Sequence, residues 1–176
     1  MSKAPPEVEI LPVYGTESSD VIWDSNFQTE FYGLGGNDVF MASNTDALFN
    51  GSWYDHHDDY FYGGSGADTM SYQLSDLKIM ANLGAGIAHR MASGQIISTD
   101  HLDSIENLNG SNFGDTVYGS DGANLLRGLG GNDTILAMGG NDQVWGDSGN
   151  DTLDGGDGDD TLDGGTGNDS VAGGNG

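Results

Sequence analysis

The chain has no cysteine and only 4 lysine and arginine residues against 28 aspartates and glutamates. The first absence leaves no disulfide for the fold to lean on. The second leaves a net charge of -24, which argues against nucleic acid and anionic membranes as partners and favours multivalent cations. Such a chain repels itself until something neutralises it. No apolar stretch is long enough to span a bilayer, and the opening MSKAPPEVEILPVYG lacks a charged region followed by an apolar run, so we read neither signal peptide nor membrane insertion. The 3 prolines all fall early, at Pro5, Pro6 and Pro12, and mark residues 1–14 as an extended lead-in. There is no His-Glu-x-x-His, no nucleophile elbow and no phosphate loop with lysine, which removes the readable catalytic motifs. The expectation is a protein that is not an enzyme.

What is abundant is glycine, 31 residues in all, and it is periodic. From Gly110 the chain reads GSNFGDTVY, GSDGANLLR, GLGGNDTIL, AMGGNDQVW, GDSGNDTLD, GGDGDDTLD and GGTGNDSVA, a nine-residue unit that never slips. Its sixth place holds Asp115, Asn124, Asp133, Asp142, Asp151, Asp160 and Asp169. Its eighth holds Val117, Leu126, Ile135, Val144, Leu153, Leu162 and Val171, between mostly polar neighbours. That pattern is a very short strand with one side chain inward and two outward. The glycine-rich half can turn sharply and aim its carbonyls at one point. Turn, strand, turn, strand gives a flattened parallel coil of all-β class.

These units resemble the RTX (repeats-in-toxin) nonapeptide, Gly-Gly-x-Gly-x-Asp-x-apolar-x, as found in serralysin-type proteases, haemolysins and the R-modules of mannuronan C5-epimerases. GGDGDDTLD and GGTGNDSVA match at every defined position. The resemblance implies a calcium-filled parallel β-roll in which two units complete a coil. Asp115, Asp133, Asp151 and Asp169 then stack on one edge and Asn124, Asp142 and Asp160 on the other. It further implies that each calcium sits between successive turns of one edge, held by both aspartates, by carbonyls from places two and four of the earlier turn, and by carbonyls from places one and three of the later. Carried over, Leu129, Gly131, Gly146 and Ser148 serve the Asp133–Asp151 site. Met138, Gly140, Gly155 and Asp157 serve Asp142–Asp160, and Asp147, Gly149, Gly164 and Thr166 serve Asp151–Asp169. Gly128 and Gly130 belong to the Asp115–Asp133 site and Gly139 to the weaker Asn124–Asp142 site, for about five sites in this block.

Calcium also answers an energetic need. One buried Val or Leu per unit returns less than ordering the backbone costs. Calcium takes 6 to 8 oxygen ligands, and its binding free energy becomes folding free energy.

The frame reappears in degenerate form over residues 15–71. GTESSDVIW, DSNFQTEFY and GLGGNDVFM place Asp20, Thr29 and Asp38 nine apart, so Asp20 with Asp38 forms a competent edge while Thr29 is a poor ligand. After Met41 the frame breaks for about a dozen residues and resumes with Asp59 and Asp68. His56 and His57 lie in a turn half and read as solvated residues rather than a transition-metal site. Residues 72–109 leave the frame. They read as two strands around Gly84 to Gly86, followed by a segment similar to the Ile-Glu-Asn-Leu-x-Gly-Ser lead into RTX blocks, and so as a joint or cap before the regular block 110–176. Lys78, His89, Arg90 and His101 there read as local charge balance.

Outward positions of the first block include Val21, Trp23, Tyr32, Tyr60 and Tyr62, which a fully solvated roll does not need. They read as covered by the joint, the lead-in or a neighbouring domain, or else as an aromatic platform for polysaccharide or protein. Arg127 and Trp145, 18 apart, read as a cation-π pair. The resemblance implies a secreted or bacterial cell-surface protein exported by type I secretion, and the lack of cysteine fits such a calcium-stabilised protein. The chain stops in mid-repeat at GGNG, which suggests a piece of a longer protein. The expected role is a calcium-binding module that folds outside the cell and serves secretion, stabilisation or presentation of a partner domain. A calcium-dependent polysaccharide-binding or adhesion module and an accessory domain of a secreted protease or lipase are the alternatives.

Overall fold

The computed structural model describes residues 12–23, 30–42 and 58–176. Among them no residue is helical, and no helix is long and apolar enough to cross a membrane. Thr29, His56 and His57 fall outside the described residues, as does the lead-in up to residue 11.

Two sheets face each other across the apolar eighth places. One is a seven-stranded parallel sheet of β2 (Val21–Trp23), β4 (Val39–Met41), β6 (Thr69–Ser71), β10 (Asn107–Asn109), β12 (Leu125–Arg127), β14 (Gln143–Trp145) and β16 (Thr161–Asp163), in that spatial order. The other runs β1 (Val13–Tyr14), β3 (Glu30–Tyr32), β5 (Tyr60–Tyr62), β9 (Gln95–Asp103), β8 (Ile87–Ala92), β7 (Lys78–Asn82), β11 (Thr116–Ser120), β13 (Thr134–Met138), β15 (Thr152–Asp154) and β17 (Ser170–Ala172). In the regular block the registers Leu126↔Val144, Val144↔Leu162, Val117↔Ile135 and Ile135↔Leu153 advance one 18-residue coil at a time. This is the flattened parallel coil that the periodicity predicts and the parallel β-roll that the resemblance implies.

The irregular stretches are absorbed as longer coils. Phe31↔Phe61 and Phe40↔Met70 skip 30 residues, and Met70↔Leu108 skips 38. The last excursion carries the antiparallel pairs β7–β8 and β8–β9, whose outer members then pair in parallel with β11 and β5. The non-repeat segment therefore widens the ten-stranded sheet, while the seven-stranded sheet passes from β6 to β10 without interruption.

One inward side chain per strand builds the core. Phe31, Phe40 and Phe61 fill the N-terminal coils, with Phe31 stacked on Phe61 at 4.9 Å and Phe40 edge-on at 5.6 Å. Leu108, Val117, Leu126, Ile135, Val144 and Leu153 continue it in single file. A core only one side chain wide per strand places each turn close to the coils above and below.

Candidate metal centres

From Leu129 onward the turns of the regular block alternate backbone handedness. The second place is left-handed at Leu129, Met138 and Asp147 (φ 74°, 82° and 67°), as in the first block at Leu34 (φ 76°), and the fourth place is left-handed glycine at Gly36, Gly131, Gly140 and Gly149. Glycine takes this region freely, whereas other L-residues pay roughly 1–2 kcal/mol for it. Met138, half exposed, carries that cost. Met138→Gly should raise the unfolding free energy by about 0.5–1 kcal/mol once the added flexibility of the unfolded chain is subtracted, measured by urea titration in saturating calcium.

The sixth-place carboxylates form ladders along both edges. The amide of Asp115 donates to Asp133 Oδ1 at 2.7 Å, that of Asp133 to Asp151 Oδ1 at 2.8 Å and that of Asp151 to Asp169 Oδ1 at 2.9 Å. On the opposite edge the sequence is Asp20 to Asp38 (2.8 Å), Asp38 to Asp68 (2.7 Å) and Asp68 to Glu106 Oε2 (2.9 Å), then Asn124 to Asp142 (2.7 Å) and Asp142 to Asp160 (2.8 Å). One oxygen of each accepting carboxylate is thus committed to holding the preceding coil in register.

The other oxygen is left over. Oδ2 of Asp38, Asp68, Asp133, Asp142, Asp151 and Asp160 is buried and accepts no hydrogen bond. A row of unpaired buried carboxylate oxygens is costly unless a cation completes it. Burial is the first cause of the raised carboxyl pKa values, about 7 at Asp133 and about 6 at Asp115, and it also raises Asp68, Asp142 and Asp151.

Carbonyls converge on the same oxygens. A Cβ on Gly128, Gly146 or Gly155 would press on Oδ2 of its own turn's aspartate. It would also stand 2.9, 2.6 or 2.7 Å from the carbonyl oxygen of Gly146, Gly164 or Gly173, one coil on. Glycine at the first place keeps open a small oxygen-lined space between coils. The carbonyls of Leu129, Met138 and Asp147 accept the amides of Ser148, Asp157 and Thr166, and the amides of Gly131, Gly140 and Gly149 donate to the carbonyls of Ser148, Asp157 and Thr166, so the third places are fixed as well. Gly130 and Gly139 bridge Ser148 and Asp157 in the same stacking. Fifth-place asparagines add a parallel ladder, with Asn132 Oδ1 accepting the Asn150 amide at 2.9 Å and Asn150 Oδ1 the Asn168 amide at 2.8 Å.

Every donor in this set is oxygen, from carboxylate or carbonyl, which suits a hard cation of flexible coordination such as calcium. Among the described residues no three His, Asp or Glu side chains cluster as a transition-metal site would need. A family model described as RTX calcium-binding nonapeptide repeat matches residues 56–71, 109–144 and 145–176, in 4 copies. The chain thus carries RTX calcium-binding nonapeptide repeats. Its repeats bind calcium at several sites. A comparison with curated proteins found no match. The RTX module is a structural calcium-binding unit, with no catalytic role by itself.

Several residues were not singled out by the pattern. Glu106 stands where an aspartate would, nine before Asp115, and its carboxylate extends the ladder from Asp68. Its in-frame position and the apolar Leu108 two places on were the available signal. On the other edge the register Tyr60↔His101 places Asp59 beside Asp100. Asp100 is fully buried, accepts the Tyr72 hydroxyl at 2.7 Å and pairs with the buried Arg90 at 3.4 Å, so a side-chain cation stands at that level of the edge.

The aromatic positions divide. Tyr14, Tyr32 and Tyr62 form one stack at 5.0 and 4.7 Å, and Tyr60 lies on His101 at 4.4 Å, so part of the row is covered by the non-repeat segment. Trp23 and Val21 remain exposed. Arg127 does lie beside Trp145 in register, but its guanidinium is spent differently. It binds Asp147 through Nε at 3.0 Å and NH2 at 2.8 Å, bracing a left-handed residue, while the cation-π contact found among the described residues is Arg90 over Tyr72.

Proposed function

We propose that this calcium-binding β-roll is a folding-on-calcium module of a secreted or surface bacterial protein, disordered where calcium is scarce and ordered outside the cell. The row of buried Oδ2 atoms carries the reading, since it leaves the roll in deficit without cations and satisfied with them. In that reading Asp133 and Asp151 share one ion, Asp142 and Asp160 another, and Asp151 and Asp169 a third. Each ion also takes the carbonyls of the two turns that flank it. The module's task is then to couple export as a chain to folding at the destination, and to stabilise or present an attached domain.

Circular dichroism of the full chain tests this. Excess chelator should abolish most of the strand signal and calcium should restore it. A chain equally folded in both conditions overturns the reading. The tyrosine stack supports packing over a saccharide platform, because its stacked rings turn their faces to one another and their edges outward.

A further inference from the structure

Three turns depart from the open form in the same way. In GTESSD, GSNFGD and GSDGAN the second place is Thr16, Ser111 or Ser120, and none of these is left-handed. Thr16 donates its amide at 2.6 Å and its hydroxyl at 2.8 Å to Asp20 Oδ2. Ser111 donates its amide at 2.6 Å to Asp115 Oδ2, and its hydroxyl reaches Oδ2 at 3.1 Å and Oδ1 at 2.9 Å. Ser120 donates its amide at 2.8 Å and its hydroxyl at 3.2 Å to Asn124 Oδ1. In all three the hydroxyl oxygen also accepts the fourth-place amide, from Ser18 (3.2 Å), Phe113 (3.1 Å) and Gly122 (3.2 Å). The oxygen that is orphaned in the open turns has two donors here.

We propose that serine or threonine at the second place is a built-in replacement for calcium, so that Thr16, Ser111 and Ser120 close their turns with hydrogen bonds and calcium occupies only coils whose earlier turn is open. This deepens the calcium reading and rests on it. The chemistry is direct substitution. An N–H and an O–H supply the positive ends that the ion would otherwise supply, and they occupy the place it needs. Asn124 completes the argument, since its Nδ2 donates at 2.7 Å to the Glu106 carbonyl, neutralising a residue that no ion visits. Asp115 has its remaining demand met by the Ile79 amide at 2.7 Å, from β7, a strand outside the repeat frame. The three closed turns each begin a run of repeats on their edge. In the block 110–176 the inter-turn sites then begin at Asp133 and Asp142, one coil later than the aspartate spacing alone implies.

The folded, calcium-loaded chain tests this by carboxyl carbon NMR while strontium replaces calcium, with circular dichroism showing that the roll stays folded. The Asp133 and Asp151 carboxyl resonances should move as the ion changes, while that of Asp115 stays within a small fraction of their shift. An Asp115 resonance that moves as far as Asp133 overturns the proposal, whereas no movement anywhere would instead sink the calcium reading beneath it. Two variants add an independent count. Ser111→Gly/Phe113→Gly makes GGNGGD, and Ser120→Gly/Asn124→Asp makes GGDGAD. Each should bind one more calcium per chain than wild type by native mass spectrometry. An unchanged count in a folded variant also overturns it.

Discussion

Asp133→Asn is expected to weaken calcium binding and, in the same molecule, to stabilise the calcium-free roll. Its Oδ1 holds the Asp115 amide at 2.7 Å, and an asparagine keeps that acceptor. What changes is the second atom, where a buried, unpaired anionic oxygen becomes an amide donor. Asn124 shows that a sixth place can hold an amide, although there the nitrogen faces the preceding coil and donates at 2.7 Å to the Glu106 carbonyl, the oxygen accepts the Ser120 amide of its own turn, and its backbone amide still donates to Asp142. In chelator the substitution removes the desolvation penalty that lifts the Asp133 carboxyl to about 7, and the strand signal that remains there should rise. In calcium it removes one unit of ligand charge from a site that has few, and the affinity of that site should fall by roughly tenfold or more. Asp133→Ala separates the parts, because it deletes the Oδ1 contact as well and should lower stability in both conditions. Urea titration in calcium, the circular dichroism strand signal in chelator and calorimetric calcium titration read all three proteins. A destabilised calcium-free Asp133→Asn would show that the unpaired oxygen is not a cost.

The fold was legible because its rule is local. One apolar residue every nine, flanked by outward polar residues and by glycine-rich turns, leaves a stacked coil as the way to bury Val117, Leu126 and Ile135 together. The ladder of Asp133, Asp151 and Asp169 follows from the same arithmetic. What escaped had to do with hydrogen-bond direction rather than period. GSNFGD and GLGGND share their first glycine and their aspartate, yet Ser111 turns an amide towards the carboxylate, whereas Leu129 takes the left-handed form and leaves its carboxylate oxygen unpaired. The signal was present, as a hydroxyl at the second place paired with a non-glycine or unstrained fourth place. Glu106 escaped for another reason, being one methylene longer than the residue the frame calls for. The Arg90–Asp100–Tyr72 group escaped because it depends on β8 crossing beside β9, a pairing that no period announces.

These differences give the roll an internal division. Residues 78–127 hold the β7–β8–β9 hairpins, the Arg90–Asp100 pair and two closed turns whose sixth-place side chains are met by the chain's own groups. The open carboxylates lie to either side, at Asp38 and Asp68 and from Asp133 onward. In the proposed reading calcium therefore acts on the flanks of a centre that supplies its own donors.

Acidification should have opposite effects with and without calcium, and the crossing is the larger of the two signatures. In the calcium-free roll, burial raises Asp115 from 3.8 to about 6 and Asp133 to about 7, and raises Asp68, Asp142 and Asp151 as well. Between about pH 4 and pH 7 the folded chain keeps protons that the unfolded chain has released. Stability is then greatest below the unfolded value near 4 and is lost as pH rises through the folded values, by about 1.4 kcal/mol per pH unit for each proton retained. Lowered self-repulsion of a chain with net charge -24 acts in the same direction. In chelator, moving from pH 8 to pH 5 should restore part of the strand signal. With calcium bound the sign inverts, because the ion requires the ionised carboxylate and protons compete for it, so the same shift should lower the urea midpoint and raise the calcium needed for half-folding. Circular dichroism over pH 5 to 8, with chelator and with calcium, should give two lines of opposite slope. Parallel slopes would mean that the buried carboxylates are not the groups through which calcium and protons control the fold.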